Sequence, residues 1–291
     1  MLSYQHVFHA GNHADILKHF VLIYVLQSLN KKEKPYTFFD THSGSGLYDL
    51  QDLRSQKTNE AKKGIEVLLK CSDFPVQMRP YIDFVGKYFQ KKLYPGSPEI
   101  ERNFMRTQDT LILSELHPKE IQNLQYNAEN PVFPSENFPG IQIYKRNGWE
   151  IINALTPPKT KRGAVLIDPS YEEIQDYADA EKYICKINKK WNNGIILLWY
   201  PLLAHREIEI SGMLNSITEN VKNANKNTEI ANLQLIVYDK NNENFSRLYG
   251  SGMFVINAPW QLEENAKIVI DFVQNLLKNK VYKNQMFKCS N

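Results

Sequence analysis

The tetrapeptide Asp168-Pro169-Ser170-Tyr171 follows the apolar run Ala164-Val165-Leu166-Ile167. Its residue types suit methyl transfer to an aromatic amine. A carboxylate accepts a hydrogen bond from an exocyclic NH2 and turns the nitrogen lone pair outward. A proline-stiffened turn holds a backbone carbonyl for the second N–H, and an aromatic ring stacks on the base. Asp168, the Pro169–Ser170 backbone and Tyr171 supply these in turn. The amine is a neutral nucleophile, so Asp168 positions it and receives its proton afterwards. Out of context the same residues are an ordinary turn opened by Asp.

Upstream, Phe38-Phe39-Asp40-Thr41-His42-Ser43-Gly44-Ser45-Gly46 runs from an apolar strand into glycines. Glycine there lets backbone approach a ligand beside the sheet. The full Gly-x-Gly-x-x-Gly spacing is not completed, because Asp49 holds the third position, and no Walker loop is present. The next strand ends Ser114-Glu115-Leu116-His117-Pro118, and an acid there accepts both ribose hydroxyls of an adenosine ligand. Loop and acid together imply an adenosine-type cofactor and leave NAD and S-adenosylmethionine both open. The Asp168 tetrapeptide decides for the methyl donor.

These pieces need a scaffold. Strand-length apolar runs alternate with helical patterns, the signature of a parallel α/β sheet. Strands are expected at Tyr36–Phe39, Thr110–Ser114, Ile141–Tyr144, Ala164–Ile167, Ile195–Trp199, Leu233–Tyr238 and Met253–Ile256. Helices are expected at Ala14–Leu29, Pro98–Arg106, Lys119–Ala128, Trp149–Leu155, Asp176–Lys190, Glu207–Ala224 and Glu263–Lys278. About fifty residues separate the glycine loop from the helix start Ser97-Pro98-Glu99, where Ser97 is the expected N-cap. Residues 47–93 therefore read as a helical insertion, with helical patterns at Glu60–Lys70 and Val76–Gln90. The last strand is entered by a hairpin-like connection and runs antiparallel. Asn257-Ala258-Pro259-Trp260 then lies on the edge away from ligands, with Trp260 packing, while the Lys240–Arg247 loop opens on the ligand edge.

The chain has 291 residues, 42% hydrophobic and 23% charged, which excludes a disordered or collagen-like protein. The apolar run Phe20–Leu26 is too short to span a bilayer, and three scattered cysteines build neither a disulfide framework nor a metal site. A cytoplasmic location is expected. The net charge of +3 permits a nucleic-acid partner without demanding one. Lysines cluster at Lys31–Lys34, Lys87–Lys92 and Lys159–Arg162, and a few phosphate contacts suffice for binding. His6, His9 and His13 have spacings a zinc ion could use, but no carboxylate or cysteine cluster accompanies them, and methyl transfer needs no metal.

The N-terminal string Met1-Leu2-Ser3-Tyr4-Gln5-His6-x-Phe8-His9-Ala10-Gly11-Asn12-His13-Ala14-Asp15-x-Leu17-Lys18-His19 makes the likeness specific. With the glycine loop, Tyr94-Pro95-Gly96-Ser97-Pro98, Glu115-Leu116-His117-Pro118 and Asp168-Pro169-Ser170-Tyr171, it resembles the RlmJ family. That family comprises class I S-adenosylmethionine-dependent methyltransferases acting on N6 of an adenine in 23S ribosomal RNA. The likeness runs from residue 1 to the Gly250-Ser251-Gly252-Met253 strand and Trp260.

The resemblance implies a Rossmann-like α/β fold: a seven-stranded, mostly parallel sheet with an antiparallel last strand. Residues 1–291 would form one domain, with residues 1–30 covering the active site. His19, His42, Gly44, Ser97, Glu115, Asn147, Gly148 and Asp168 would meet S-adenosylmethionine. Asp168, Tyr171 and Tyr4 would be catalytic, and Tyr4, His6, Lys18 and Tyr171 would meet the target base. Ser170 stands where a second proline is frequent, and Asn147 where an acid is frequent. The implied substrate is naked or partly assembled 23S ribosomal RNA, since a stacked base costs a few kcal/mol to extract. The implied enzyme is a monomer without metal. An N6-adenine methyltransferase of DNA or another RNA, a non-catalytic RNA-binding assembly protein and a dehydrogenase are the other readings of the residues.

Overall fold

A computed structural model describes residues 5–240 and 248–286, with side chains to residue 278. Tyr4 and residues 241–247, most of the expected substrate loop, lie outside the described residues. The chain opens with a short 3-10 turn, His6–Phe8, and then α1 (His13–Asn30), β1 (Thr37–Asp40) and β2 (Leu47–Asp49). Helices α2 (Leu53–Thr58), α3 (Glu60–Lys63), α4 (Ile65–Leu69) and α5 (Arg79–Gln90) follow, then β3 (Leu93–Pro95) and α6 (Ser97–Phe104). Regular alternation begins with β4 (Thr110–Ser114), α7 (Pro118–Glu129), β5 (Gly140–Tyr144), α8 (Gly148–Leu155) and β6 (Gly163–Ile167). It continues with α9 (Gln175–Lys190), β7 (Ile195–Leu203), α10 (Glu207–Ala224), β8 (Ile230–Ile236), β9 (Leu248–Ile256) and α11 (Leu262–Met286).

Seven strands form one sheet in the order β5-β4-β1-β6-β7-β9-β8. All neighbours are parallel except β9, which runs antiparallel to β7 and β8. This is the Rossmann-like class I arrangement, and each expected strand is present. Strand β6 is buried at every residue, as befits a central strand covered on both faces. The chain order reverses direction between β1 and β6, and in open α/β sheets ligands settle at the carboxyl ends beside such a switch point. Both chemical motifs, the loop after Asp40 and the tetrapeptide at Asp168, leave the sheet there.

Helix α1 is buried nearly all round, so it needs no amphipathic stripe. Asn12 caps it, its side-chain oxygen accepting the N–H groups of Ala14 and Asp15. Several bonds tie the segment before it to residues 47–69, among them His9 Nδ1 to Glu60 at 3.0 Å. Thr58 bonds the Phe8 carbonyl, Arg54 donates to Gln5 at 2.9 Å, Asn12 donates to Glu60 at 2.9 Å, and Ile65 N–H donates to the Gly11 carbonyl at 2.8 Å. Gly64 permits this close approach, since a Cβ there would lie 2.3 Å from the Gly11 oxygen.

Three local expectations are corrected. Residues 47–93 hold helices α2–α5 but are not purely helical: β2 and β3, which begins at residue 93, pair as a small antiparallel sheet. Ser97 is the first helical residue of α6, not its cap; Gly96 holds the cap position and the serine hydroxyl is spent on Asp40. Trp260 does not pack. The residue is 82% exposed, because the anchored groups are backbone: Tyr24 donates to its carbonyl and Ala258 N–H to the Glu229 carbonyl.

Candidate active site

The glycine loop begins where β1 ends. Gly44 takes φ +57, and a Cβ there would lie 2.4 Å from the Tyr48 hydroxyl, so only glycine fits this turn. Its N–H donates to Glu115 Oε2 at 2.8 Å, while Glu115 Oε1 accepts His117 N–H at 2.7 Å. The acid at the end of β4 thus fixes the loop at the end of β1 and still faces the cleft. Burial raises its pKa.

Asp40 closes β1. It accepts the Ser97 hydroxyl at 2.7 Å and the His42 N–H at 3.1 Å. Burial pushes its carboxyl up to about 6. Beneath it lies Glu101, fully buried and raised well above the ordinary range by burial and by Asp40.

His6, Lys18, His19, His42, Gly44, Ser97, Glu115 and Asp168 line one cleft, with Tyr48, Gly96 and Trp199. Its space is about 810 Å³ counting the open mouth. The polar atoms on its wall fit a cofactor that is at once nucleoside, amino acid and cation. His19 Nδ1 meets the Tyr94 hydroxyl at 2.9 Å, leaving Nε2 buried without a hydrogen-bond partner. Burial lowers His19 to about 3 and His42 to about 4. Both rings are therefore neutral at pH 7 and do not repel a sulfonium.

A second cavity of about 650 Å³ opens on the other side of Asp168. Tyr171, Ser170, Trp199 and Pro201 line it with His6, Asp15 and Lys18. Lys18, Asp168, His6, Ser170 and Trp199 border both spaces, so this group is the wall between them. Lys18 Nζ donates to Asp168 Oδ2 at 2.7 Å and lies 3.0 Å from Asp15 Oδ1. Asp15 is fully buried; its Oδ2 meets His6 Nε2 at 3.0 Å and Gly11 N–H at 2.8 Å.

Two predicted cofactor residues do not line the cleft. The Asn147 side-chain oxygen accepts Trp149 N–H at 2.9 Å and caps α8. Gly148 lies against the Thr41 carbonyl, where a Cβ would come within 2.1 Å. Tyr171 lines the second cavity only, held at φ +53 with its hydroxyl donating to the Trp199 carbonyl at 3.0 Å. The other histidines of the N-terminal string also have places: His9 Nδ1 meets Glu60 at 3.0 Å, and His13 is buried against Tyr238. Among the described residues no group of three or more His, Cys, Asp or Glu could hold a metal ion.

Sequence reasoning missed Asp15, Asp40 and Trp199. Trp199 had a usable signal: it closes the expected strand Ile195–Trp199, and in the structure Ile167 pairs with Leu198, so Trp199 emerges beside Asp168. Asp15 had none, since an acid in the first turn of a helix is usually a dipole partner.

A family model described as "Ribosomal RNA large subunit methyltransferase D, RlmJ" matches residues 33–286. The chain is 35% identical over 281 residues to "Ribosomal RNA large subunit methyltransferase J" of Escherichia coli K12, covering 95% of this chain and 94% of the relative. The chain belongs to the RlmJ family. The Haemophilus influenzae relative of the same name is 36% identical over 288 residues, again covering 95% and 94%. A crystal structure of a Legionella pneumophila protein superposes with TM-score 0.78 at 30% identity, covering 93% of this chain and 94% of that one. RlmJ proteins are S-adenosylmethionine-dependent methyltransferases of large-subunit ribosomal RNA, so the chain is an enzyme of that class. No described helix is long and apolar enough to cross a membrane.

The three buried imidazoles make a stability prediction. Burial lowers His13 to about 4, His19 to about 3 and His42 to about 4, against 6.5 when exposed. The unfolded chain therefore binds more protons than the folded one below pH 6.5, and stability falls as pH drops from there towards 4. Asp40, raised to about 6, works in the opposite direction, as do Glu101 and Glu115, which burial also raises; the three imidazoles are expected to outweigh them, because each takes up a proton in the unfolded chain across the whole interval from pH 6.5 down to about 4. The urea midpoint is expected to be lower at pH 5 than at pH 7; an equal or higher midpoint at pH 5 would contradict these assignments.

Proposed function

We propose that the chain methylates N6 of one adenine in 23S ribosomal RNA, in naked or partly assembled form, with S-adenosylmethionine in the cleft lined by Gly44 and Glu115 and the target base in the cavity lined by Tyr171. One observation carries this reading: Asp168 borders both spaces, with Gly44 and Glu115 on one side and Tyr171 and Pro201 on the other. When bound, S-adenosylmethionine supplies an electrophilic methyl group. Glu115 would hold its ribose, and His19, His42 and Ser97 would line its site. Asn147 and Gly148 act behind the wall by fixing the start of α8.

Asp168 accepts one N–H of the adenine amino group and aims the lone pair across the wall. A carbonyl of the Pro169–Ser170 turn takes the other N–H. As the amine takes the methyl group, positive charge arrives at N6 and the Asp168 carboxylate stabilises it. The nitrogen then sheds a proton to that carboxylate. Tyr171, with its hydroxyl fixed on Trp199, forms with that indole the aromatic floor of the base cavity. His6 and Lys18 stand at the wall, and we assign Tyr4 to the same role. Residues 1–30 act as the cover of the site and residues 47–93 as the insertion that holds the cover down. The enzyme works as a cytoplasmic monomer and needs no metal.

Incubation of the purified chain with tritiated S-adenosylmethionine and either deproteinised 23S RNA, assembled large subunits or DNA tests the substrate. Label is expected in the deproteinised RNA. Label in DNA alone would favour the competing substrate, and cofactor binding without any transfer would favour a non-catalytic protein.

A further inference from the structure

We infer that Asp15 is a positioning residue for methyl transfer: it holds Lys18 and His6 at the wall between the two cavities and keeps that wall net negative. The inference rests on the proposed reading of Asp168 as the residue that receives the amine. Asp15 touches neither reacting partner; it acts through the groups that do.

Its environment differs from that of an ordinary first-turn acid. The side chain is fully buried, the Gly11 N–H and the His6 ring converge on Oδ2, and the Lys18 ammonium lies beside Oδ1. The ammonium is not aligned for a hydrogen bond to Oδ1; its aligned bond goes to Asp168. Lys18 thus stands between two carboxylates, 3.0 Å from one and 2.7 Å from the other. A buried ammonium between two carboxylates leaves the group of three with a formal charge of −1. That charge faces N6, where positive charge arrives as the methyl group is transferred. In so buried a place little solvent screens it.

With Asp15 neutral, the Lys18 charge would be balanced by Asp168 alone. The pair would be neutral overall, and the ammonium would settle on the carboxylate that should receive the amine. His6 would lose its anchor in the same step. Removing one preorganised charge from a site where charge develops costs about 10²–10³-fold in rate. The loss belongs in the transfer step, because Asp15 does not line the cofactor cleft.

The test compares Asp15→Asn, Lys18→Met and the double variant with the wild type. Single-turnover methyl transfer to 23S RNA, calorimetric titration with S-adenosylmethionine and the melting temperature are measured for each. Asp15→Asn is expected to slow transfer about 100-fold, with cofactor Kd within threefold of wild type. In the Lys18→Met background the same change is expected to slow it less than tenfold, because only the His6 contact is left for Asp15 to act through. Transfer by folded Asp15→Asn within threefold of wild type would overturn the inference, as would multiplicative losses in the double variant. Should Asp15→Asn alone not fold, the double variant decides, since it carries no unpaired buried charge from the pair. A rate there tenfold or more below Lys18→Met overturns the inference, and an equal rate supports it. Failure of the wild type to methylate RNA would instead defeat the proposed function.

Discussion

Asp168→Ala is expected to abolish methyl transfer, by a thousandfold or about that, while S-adenosylmethionine still binds. The carboxylate sits at the wall between the cavities with a 2.7 Å bond to Lys18. Its removal takes away the acceptor that orients the amine and the charge that stabilises it, two effects that compound. Alanine also leaves the Lys18 ammonium facing the nitrogen on which positive charge arrives. Asp168→Asn keeps an acceptor oxygen and loses the charge, so its rate should fall between wild type and alanine. Tritiated methyl incorporation measures the first effect and calorimetric titration the second. Turnover by Asp168→Ala within tenfold of wild type would refute the assigned role.

Glu115→Ala is expected to strike the other side of the wall and to appear in binding. Both carboxylate oxygens hold backbone, Gly44 N–H on one and His117 N–H on the other. Alanine leaves both donors without that partner in a largely buried place, at about 1–3 kcal/mol each. It also frees a loop whose Gly44 conformation no other residue adopts easily, and removes the acid proposed to hold the ribose. The cofactor Kd should weaken about 100-fold, equivalent to roughly 2.7 kcal/mol. The rate at saturating cofactor should change far less. Glu115→Gln, which keeps one acceptor oxygen, should lose less than alanine. An unchanged Kd for Glu115→Ala would show that the loop is held by other bonds.

The sheet was legible because its physics is repetitive. Runs such as Ala164–Ile167 carry no polar alternation, and only a strand covered on both faces tolerates that. The antiparallel β9 followed from the short link after Leu233–Tyr238, and with it the exclusion of Asn257–Trp260 from the ligand edge. The same reasoning failed for Trp260 itself. Its place in the fold is set by the Tyr24 hydroxyl on its carbonyl and by the nearby Ala258 N–H on the Glu229 carbonyl, and a sequence does not display which part of a residue is anchored. Strands β2 and β3 escaped for a different reason, since three residues are too few to show a period.

The site was legible where one residue type has one use. An acid followed by Pro at the end of a central strand, or glycines after the first, points to the carboxyl edge whatever surrounds it. Residues that act through tertiary neighbours were not legible. Asp15 is an unremarkable first-turn acid until His6, Gly11 and Lys18 are brought round it. Asn147 illustrates the converse: the family resemblance implied ligand contact there, and folding committed its oxygen to the helix cap.

The most direct test of the account is to map methylated nucleosides in 23S RNA, by mass spectrometry of digests, from a strain lacking this gene and from its parent. One N6-methyladenine should be missing from the deletion strain and should return when its deproteinised RNA is treated with the purified chain and S-adenosylmethionine. An identical set of N6-methyladenines in both strains, or restoration of a methyl group at any atom other than adenine N6, would contradict it.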